Sequence, residues 1–183
     1  MIDPEIVINL VAYNPETGVL TFRSATPDMF SDGRKSAKHV CAIWNAKNAA
    51  KPAFSARHSA GYLAGSLLGR KFLAHRIAWV IAKGEWPDGE IDHINHDRGD
   101  NRLVNLRQTT REENSKNLSM SINCPNGATG VYWYARTSRW VAKISIRGRS
   151  THLGYFPEKT MAIAARKQAE LRHGFHKNHG VIQ

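Results

Sequence analysis

Apolar and polar residues alternate over short distances in the first part of the chain. VINLVAY, the turn NPETG and then VLTFR predict a β-hairpin. A second hairpin is predicted at GYLAGSLLGRKFLAH, with Gly69 and Arg70 at its turn. The following RIAWVIAK has helical spacing, and Gly84 and Pro87 would end that helix. Residues 24–60 are polar and irregular, and no element is predicted for them.

The central stretch EIDHINHDRGDNRLVNLRQTTREEN, residues 90–114, has a different pattern. EID indicates the end of a strand, and LRQTT indicates a return strand. Thr110 and Glu113 have the spacing of a capping box, so a short helix should begin near Arg111. The local order is therefore strand, loop, strand, helix, which could bring polar residues from both ends of the stretch together.

The last third of the chain predicts a sheet followed by a helix. GVYWYARTSRWVAKISIRGRSTHLGYF alternates and is rich in aromatic and β-branched residues, so it indicates three antiparallel strands with a tight turn at Arg147 and Gly148. TMAIAARKQAELRHG predicts a helix with a cap at Thr160 and an end at Gly174. The period of two places Lys143, Ser145 and Arg147 on one face of the sheet.

Taken together, these patterns predict an α+β protein with two domains. The expected boundaries are a first domain at 1–118 with N-terminal hairpins and a core at about 88–118, a linker at 119–127, a sheet-and-helix domain at 128–175, and a tail at 176–183.

Charge separates the two parts. The chain of 183 residues has a net charge of +11. Residues 126–183 contain ten Lys and Arg against two carboxylates, a balance of +8, whereas residues 1–125 balance to only +3. A basic module of this kind predicts a polyanionic partner, with nucleic acid first. No apolar run approaches the roughly 20 residues of a membrane-spanning helix, so no membrane partner is expected.

The cysteines and the N-terminus indicate the compartment. Cys41 and Cys124 lie far apart and belong to no zinc-binding spacing, and MIDPEIVINL lacks the positive region of a signal peptide. The expectation is a reduced, cytoplasmic protein.

The residues of the central stretch and its surroundings resemble a known family. YNPETGVLTF, AHRIAW, GEWP, IDHIN, DNRLVNLR and EENSKN are similar to HNH nucleases, in particular to the phage and intron-associated homing endonucleases. The resemblance implies a ββα-metal fold in which Asp92 and Asn114 bind a metal, His93 is the general base and Asn105 holds the loop together.

The chemistry of DNA hydrolysis suits these residue types. A histidine of ordinary pKa can deprotonate water near neutral pH. An aspartate and an asparagine oxygen suit a hard, octahedral cation, so Mg²⁺ or Mn²⁺ is the expected cofactor. An EF-hand is excluded because NHDRGDNRLVNL lacks an acidic twelfth residue.

Several assignments stay open at the level of sequence. Asn101 competes with Asn105 for the structural role, and Asn117 competes with Asn114 for the metal. His96 stands where the family often has glycine, and it is either a solvent-exposed or phosphate-contacting side chain or a catalytic one. His75 and Arg76 form the family's HR pattern. The role of His75 is open, and Arg76 either clamps a phosphate or packs at the start of the helix.

The C-terminal residues resemble a second family. GVYW, RWVAKI, HLGYF and the alanine-rich helix are similar to the Apetala-type, ethylene-responsive-factor DNA-binding domain over roughly 128–173. The resemblance implies a three-stranded sheet that lies in the major groove of duplex DNA. The implied DNA-contacting residues are Tyr132, Tyr134, Arg136, Lys143, Ser145, Arg147 and His152.

The predicted function is a metal-dependent, homing-type endonuclease of double-stranded DNA with a C-terminal sheet as reader. No small-molecule substrate is expected, and no oligomeric state is predicted. One alternative is a DNA-binding regulatory or accessory protein that keeps the nuclease fold without cleaving, and another is an RNA-binding protein.

Overall fold

The computed structural model describes residues 1–118, 120, 124 and 126–180. Over this range the chain is a mixed α/β protein with small antiparallel sheets. It divides into two compact units, Met1–Gln108 and Thr109–Gln183, here called the first and second units. Most of the predicted linker, at positions 119, 121–123 and 125, and the end of the predicted tail, at 181–183, lie outside the described residues.

The N-terminal hairpin is present but shorter than predicted. β1 (Val11–Tyr13) pairs antiparallel with β2 (Leu20–Phe22). The prediction of a strand over the first part of VINLVAY was wrong, because residues before Val11 form helix α1 (Pro4–Leu10). The Asp3 side chain accepts a hydrogen bond from the backbone N–H of Glu5, and Pro4 occupies the first turn. An N-cap and a proline in the first turn both favour the start of a helix. The apolar residues at positions 7, 10 and 11 do not distinguish a helix from a strand.

The stretch without a predicted element contains helix α2 (Ala37–Asn48), preceded by a short 3₁₀ turn at Pro27–Met29. Ser36 is the N-cap, since its hydroxyl accepts a hydrogen bond from the backbone N–H of His39. Only Cys41 of α2 is buried. The helix therefore lacks the wide apolar stripe by which an amphipathic helix is recognised in a sequence.

The second hairpin is part of a three-stranded sheet formed by β3 (Ala56–Arg57), β4 (Leu63–Leu67) and β5 (Arg70–Leu73). The turn is one residue earlier than predicted. Leu68 and Gly69 both have positive φ, 48° and 77°, as a two-residue hairpin turn of the primed type requires. Arg70 is therefore the first residue of β5 rather than part of the turn.

The predicted helix after this hairpin is confirmed as α3 (Ala74–Lys83). It ends where Gly84 adopts the left-handed conformation, with φ of 79°. The buried side of α3 packs with α1 and β1 into the main hydrophobic core of the first unit. The best-buried members of this core are Val7, Leu10, Val11, Leu67, Ile77 and Val80.

The predicted order of strand, loop, strand and helix is observed in the central stretch. β6 (Glu90–His93) and β7 (Leu106–Thr109) form a two-stranded sheet, with a 3₁₀ turn at Leu103–Asn105 between them. Helix α4 (Arg111–Ser115) follows, and both hydrogen bonds of the capping box between Thr110 and Glu113 are present. The division between the two units falls within β7, so α4 belongs to the second unit.

The C-terminal sheet and helix have the predicted order. β8 (Val131–Tyr134), β9 (Arg139–Ile146) and β10 (Arg149–Phe156) form an antiparallel sheet with β9 in the middle. Helix α5 (Lys159–Arg172) follows. Glu158 precedes the helix, and Thr160 lies within its first turn, so the predicted cap at Thr160 was wrong. Gly174 has a φ of 66° just beyond the helix, as expected for a residue that ends it.

The two faces of this sheet differ in character. Val131, Ala142 and Ala162 of α5 form the buried core of the helix side. The opposite side, here called the outer face, includes Tyr132, Tyr134, Val141, Lys143, Ser145, His152 and Tyr155, which are matched by strand register. Val141 is buried although it shares this face with exposed Lys143, because Tyr132 and Tyr155 are its direct partners on the neighbouring strands.

Candidate active site

β6 places two candidate catalytic residues at adjacent positions. Asp92 is 8% exposed and His93 is 4% exposed. The Oδ2 atom of Asp92 accepts hydrogen bonds from Nε and Nη2 of Arg107 at 2.9 and 2.7 Å. Arg107 lies on β7, the partner strand of β6. The guanidinium therefore offsets the cost of burying the Asp92 charge and fixes the carboxylate in place.

His93 contacts Asn101 in the loop between β6 and β7. Nε2 of His93 lies 3.3 Å from Oδ1 of Asn101. The Asn101 amide nitrogen donates to the Gly99 carbonyl, so its oxygen is the atom that faces the imidazole. A carbonyl oxygen at Nε2 favours the tautomer with the proton on Nε2 and the lone pair on Nδ1. Asn101 is thus in a position to select the form of His93 that can accept a proton.

Burial favours the neutral form of His93. Burial lowers the pKa of His93 below its ordinary value, although the hydrogen bond to Asn101 and the nearby carboxylates of Asp92, Asp100 and Asp97 act in the opposite direction. A neutral imidazole near pH 7 is the protonation state that a general base needs.

A second buried histidine packs against the first. The ring of His75, on α3, lies 5.0 Å from the ring of His93 in an edge-to-face arrangement, and the Tyr62 ring contacts both. Burial, with smaller effects from His93 and Arg76, lowers the pKa of His75 to about 3. Within the part of the chain that the structure describes, Nδ1 of His75 has no hydrogen-bond partner. Sequence reasoning gave no role to Tyr62 and left that of His75 open.

Asn105 connects the two ends of the loop. Its side-chain oxygen accepts from the backbone N–H of Asn95, and its amide nitrogen donates to the carbonyl of Asp100. Its own carbonyl accepts from Ile94. Asn101 and Asn105, the two candidates for the structural role, thus make different contacts. Asn105 bonds to the loop backbone, and Asn101 contacts His93.

His96 lies in a backbone conformation that explains why glycine suits this position. Its φ is 68°, in the left-handed region, and its N–H donates to the carbonyl of His93. For a residue with a Cβ, this conformation costs roughly 1–2 kcal/mol, and glycine avoids the cost. The turn therefore tolerates His96 at the expense of some stability.

Arg76 contacts the polypeptide backbone. Its guanidinium donates to the carbonyls of Gly89 at 3.2 Å and Pro87 at 3.4 Å. Both acceptors lie between α3 and β6, so these contacts favour the packing role over the phosphate clamp, and a DNA contact by Arg76 stays a prediction.

Asn114 and Asn117 both belong to the second unit. Asn114 is half-buried in α4, and Asn117 is buried just beyond it. The N–H of Asn117 donates to the carbonyl of Asn114. Asn114 as a metal ligand stays a prediction.

The outer face of the C-terminal sheet gathers five of the seven predicted DNA contacts, Tyr132, Tyr134, Lys143, Ser145 and His152. Lys143 Nζ lies 5.5 Å from the centre of the Tyr132 ring. Tyr155 was missed by sequence reasoning and is half-exposed, and its ring contacts those of Tyr134 and His152. Simple alternation along β10 would place His152 and Tyr155 on opposite faces, but a bulge between His152 and Gly154 shifts the register and brings Tyr155 to the outer face.

The other two predicted contacts, Arg136 and Arg147, lie in the turns that follow β8 and β9. Arg136 is exposed in the 3₁₀ turn after β8. Arg147 occupies the β9–β10 turn, where its Nε lies 3.2 Å from Oε1 of Glu112 in α4.

The comparisons with known proteins identify the segment that carries the candidate active site. Residues 72–116 match the family of HNH endonucleases. This segment is an HNH endonuclease domain. It includes Asp92, His93, Asn105 and Asn114. No curated protein and no solved structure matches the chain.

The HNH endonuclease domain is of a kind that commonly uses a divalent metal. Among the described residues, no group of three or more His, Cys, Asp and Glu side chains converges as a metal site. Asp92 still provides a buried carboxylate, a donor that suits a hard cation. None of the described helices is long and apolar enough to cross a membrane.

Proposed function

We propose that this protein is a metal-dependent endonuclease of double-stranded DNA and that His93 is its general base. The observation that carries the proposal is the buried His93–Asn101 pair inside the segment that matches the HNH endonucleases. A histidine that is neutral and oriented through one nitrogen can take a proton at the other.

The proposed division of labour follows from the contacts of each residue. His93 accepts a proton at Nδ1 from the water that attacks phosphorus. Asn101 holds the imidazole through Nε2, and Asn105 keeps the loop between β6 and β7 closed beneath it. Arg107 orients Asp92 from the partner strand. The residues are positioned before DNA binds, which lowers the cost of reaching the transition state.

A divalent cation fits the proposed ligands, Asp92 and Asn114. A carboxylate oxygen and an amide oxygen are hard donors, and they suit Mg²⁺ or Mn²⁺ better than Zn²⁺. Such an ion would stabilise the charge that develops on the phosphate and on the departing oxygen.

The C-terminal sheet is proposed as the reader of duplex DNA. Its outer face combines Lys143 with three tyrosines and His152, and the residues from 126 onward balance to +8. Self-repulsion of such a module costs stability unless a polyanion neutralises it. By resemblance, the biological class proposed for the whole protein is a homing endonuclease of a phage or mobile element.

A plasmid assay tests the catalytic proposal. Supercoiled DNA is incubated with the full chain and Mg²⁺, Mn²⁺ or EDTA. We expect nicked or linear product with either ion and none with EDTA. DNA binding without product under all three conditions would instead favour the accessory protein that keeps the nuclease fold.

A charge variant tests the reader. Lys143→Gln should weaken binding to duplex DNA and reduce the slope of log K against log[salt] by about 0.9, the value for one lost phosphate contact. The matched control is Arg172→Gln, which removes one charge from the last turn of α5. Fluorescence anisotropy at several salt concentrations gives both slopes. Equal slopes for the two variants would contradict the assignment of the outer face.

A further inference from the structure

The middle of the first unit is basic and contains no acidic residue. Residues 33–84 include ten Lys and Arg and no Asp or Glu. None of these ten side chains forms an ion pair within the described part of the chain. The near-neutral balance of residues 1–125 therefore conceals a segment of concentrated positive charge, which favours a polyanionic partner for the first unit.

One member of this segment, Arg57, lies beside the loop that follows β6. Arg57 is exposed at the end of β3, and its Nη2 is 3.8 Å from the position that a Cβ on Gly99 would take. Among the described residues, Arg57 forms no hydrogen bond. Its guanidinium can therefore bind a ligand without breaking a contact in the protein.

A second arginine, Arg98, approaches from the loop itself. Its Cδ is 3.8 Å from the position of a Cβ on Gly61, and its Nη1 donates to the carbonyl of Ala60 at 2.7 Å. Two chain segments far apart in sequence thus lie against each other, with Arg57 beside Gly99 and Arg98 beside Gly61.

Tyr62 connects this arginine cluster to the general base. The guanidinium carbon of Arg98 lies 4.9 Å from the centre of the Tyr62 ring, and the same ring lies 5.8 Å from that of His93. Stacking on an aromatic ring orients a guanidinium while leaving N–H groups available at its edge.

The nearby carboxylates leave the two arginines without ion pairs. Asp100 pairs with Arg102 at 2.6 Å. Asp97, next to Arg98, accepts a hydrogen bond from the backbone N–H of Gly99. Neither carboxylate forms a salt bridge with Arg57 or Arg98 in the described part of the chain.

We propose that Arg57 and Arg98 form a phosphate-binding site that holds the DNA backbone next to the bond that is cleaved by the water that His93 deprotonates. The location of that bond rests on the proposed function, whereas the binding of DNA phosphate does not. Arginine suits the task because its planar fork of donors matches phosphate oxygens and it stays charged at any physiological pH. The first unit would then contact DNA independently of the C-terminal sheet.

The experiment measures DNA binding by the full chain carrying His93→Ala, so that the duplex stays intact. Arg57→Gln, Arg98→Gln and the double variant are compared over a series of salt concentrations. Each lost phosphate contact should reduce the salt slope by about 0.9, so the double variant should lose about twice that. Arg23→Gln, which removes an exposed charge from the same unit outside the acid-free segment, is the matched control and should leave the slope unchanged.

The two single variants separate binding from folding. Arg98→Gln removes the hydrogen bond to Ala60 and can loosen the turn, whereas Arg57→Gln breaks no hydrogen bond. A loss of slope in Arg57→Gln alone therefore supports the site, and a slope equal to that of Arg23→Gln overturns it. If the arginine variants reduce the slope but the protein with His93 intact does not cleave DNA, this site is supported and the catalytic proposal is rejected. Cleavage with unchanged slopes would reject only this site.

Discussion

Replacing His93 with alanine is expected to lower the rate of DNA cleavage by roughly 10²–10⁴-fold, the usual contribution of a general base. Water near the phosphate would lose the group that accepts its proton, while the basic surfaces that bind DNA would be unchanged. Single-turnover cleavage with Mg²⁺ gives the rate, and anisotropy with the same duplex gives the affinity.

The control for this variant is His39→Ala, which removes an exposed histidine of α2 from the same unit. It should cleave at the rate of the unmodified protein. His93 is buried, so alanine would leave a cavity. His93→Gln should therefore also be tested, because glutamine fills more of the space of the imidazole than alanine does. Cleavage at the unmodified rate by either His93 variant, with a folded protein confirmed by circular dichroism, would contradict the mechanism.

Replacing Arg166 with methionine is expected to reduce the free energy of unfolding of the second unit by about 3–5 kcal/mol, as for other buried ion pairs that lose one partner. Nε of Arg166 donates to Oε1 of Glu170 at 2.8 Å, and Nη1 donates to the carbonyl of Lys143 at 2.6 Å. Burial raises the pKa of Glu170, but hydrogen bonds from Arg166 and Lys167 outweigh it and lower the pKa overall. Without Arg166, the buried carboxylate would lose its main partner and the β9 carbonyl its donor.

Hydrogen exchange of the full chain tests this expectation, because it measures the local stability of peptides from β9, β10 and α5. Peptides from the first unit are the internal reference. Lys167→Met is the matched control. Lys167 also pairs with Glu170, at 2.9 Å, but its side chain is 54% exposed, so a loss of at most about 1 kcal/mol is expected. Similar protection in Arg166→Met and Lys167→Met would show that the buried network contributes little. Adding Glu170→Leu to Arg166→Met should restore part of the stability, because no unpaired charge then remains.

The elements that were predicted correctly are those with strong local signals. The capping box of Thr110 and Glu113 specifies the start of α4, and Gly84 specifies the end of α3. The turn predicted at Arg147 and Gly148 is confirmed. Both residues adopt positive φ, 50° and 74°, as a two-residue hairpin turn of the primed type requires. In each case a few neighbouring residues contain the full physical cause.

The incorrect predictions arose where a local pattern suited two structures. The residues of α1 were taken for a strand because their apolar positions suit either element, although Asp3 and Pro4 favour a helix. The two-residue turn after β4 was placed one position too late, because Leu68 adopts a positive φ that is uncommon for its type. Helix α2 was not predicted because it buries only Cys41.

The sequence by itself determined the identities of the catalytic candidates, the order of the elements that carry them and the basic character of the C-terminal module. These depend on residue type, spacing and charge, which are properties of the chain. Only the tertiary structure decided which groups surround His93. Tyr62, His75 and Asn101 reach it from β3–β4, α3 and the loop after β6, and Arg107 reaches Asp92 from the opposite strand. Such contacts join residues that are distant along the chain, and their geometry follows from the packing of whole elements rather than from any local pattern.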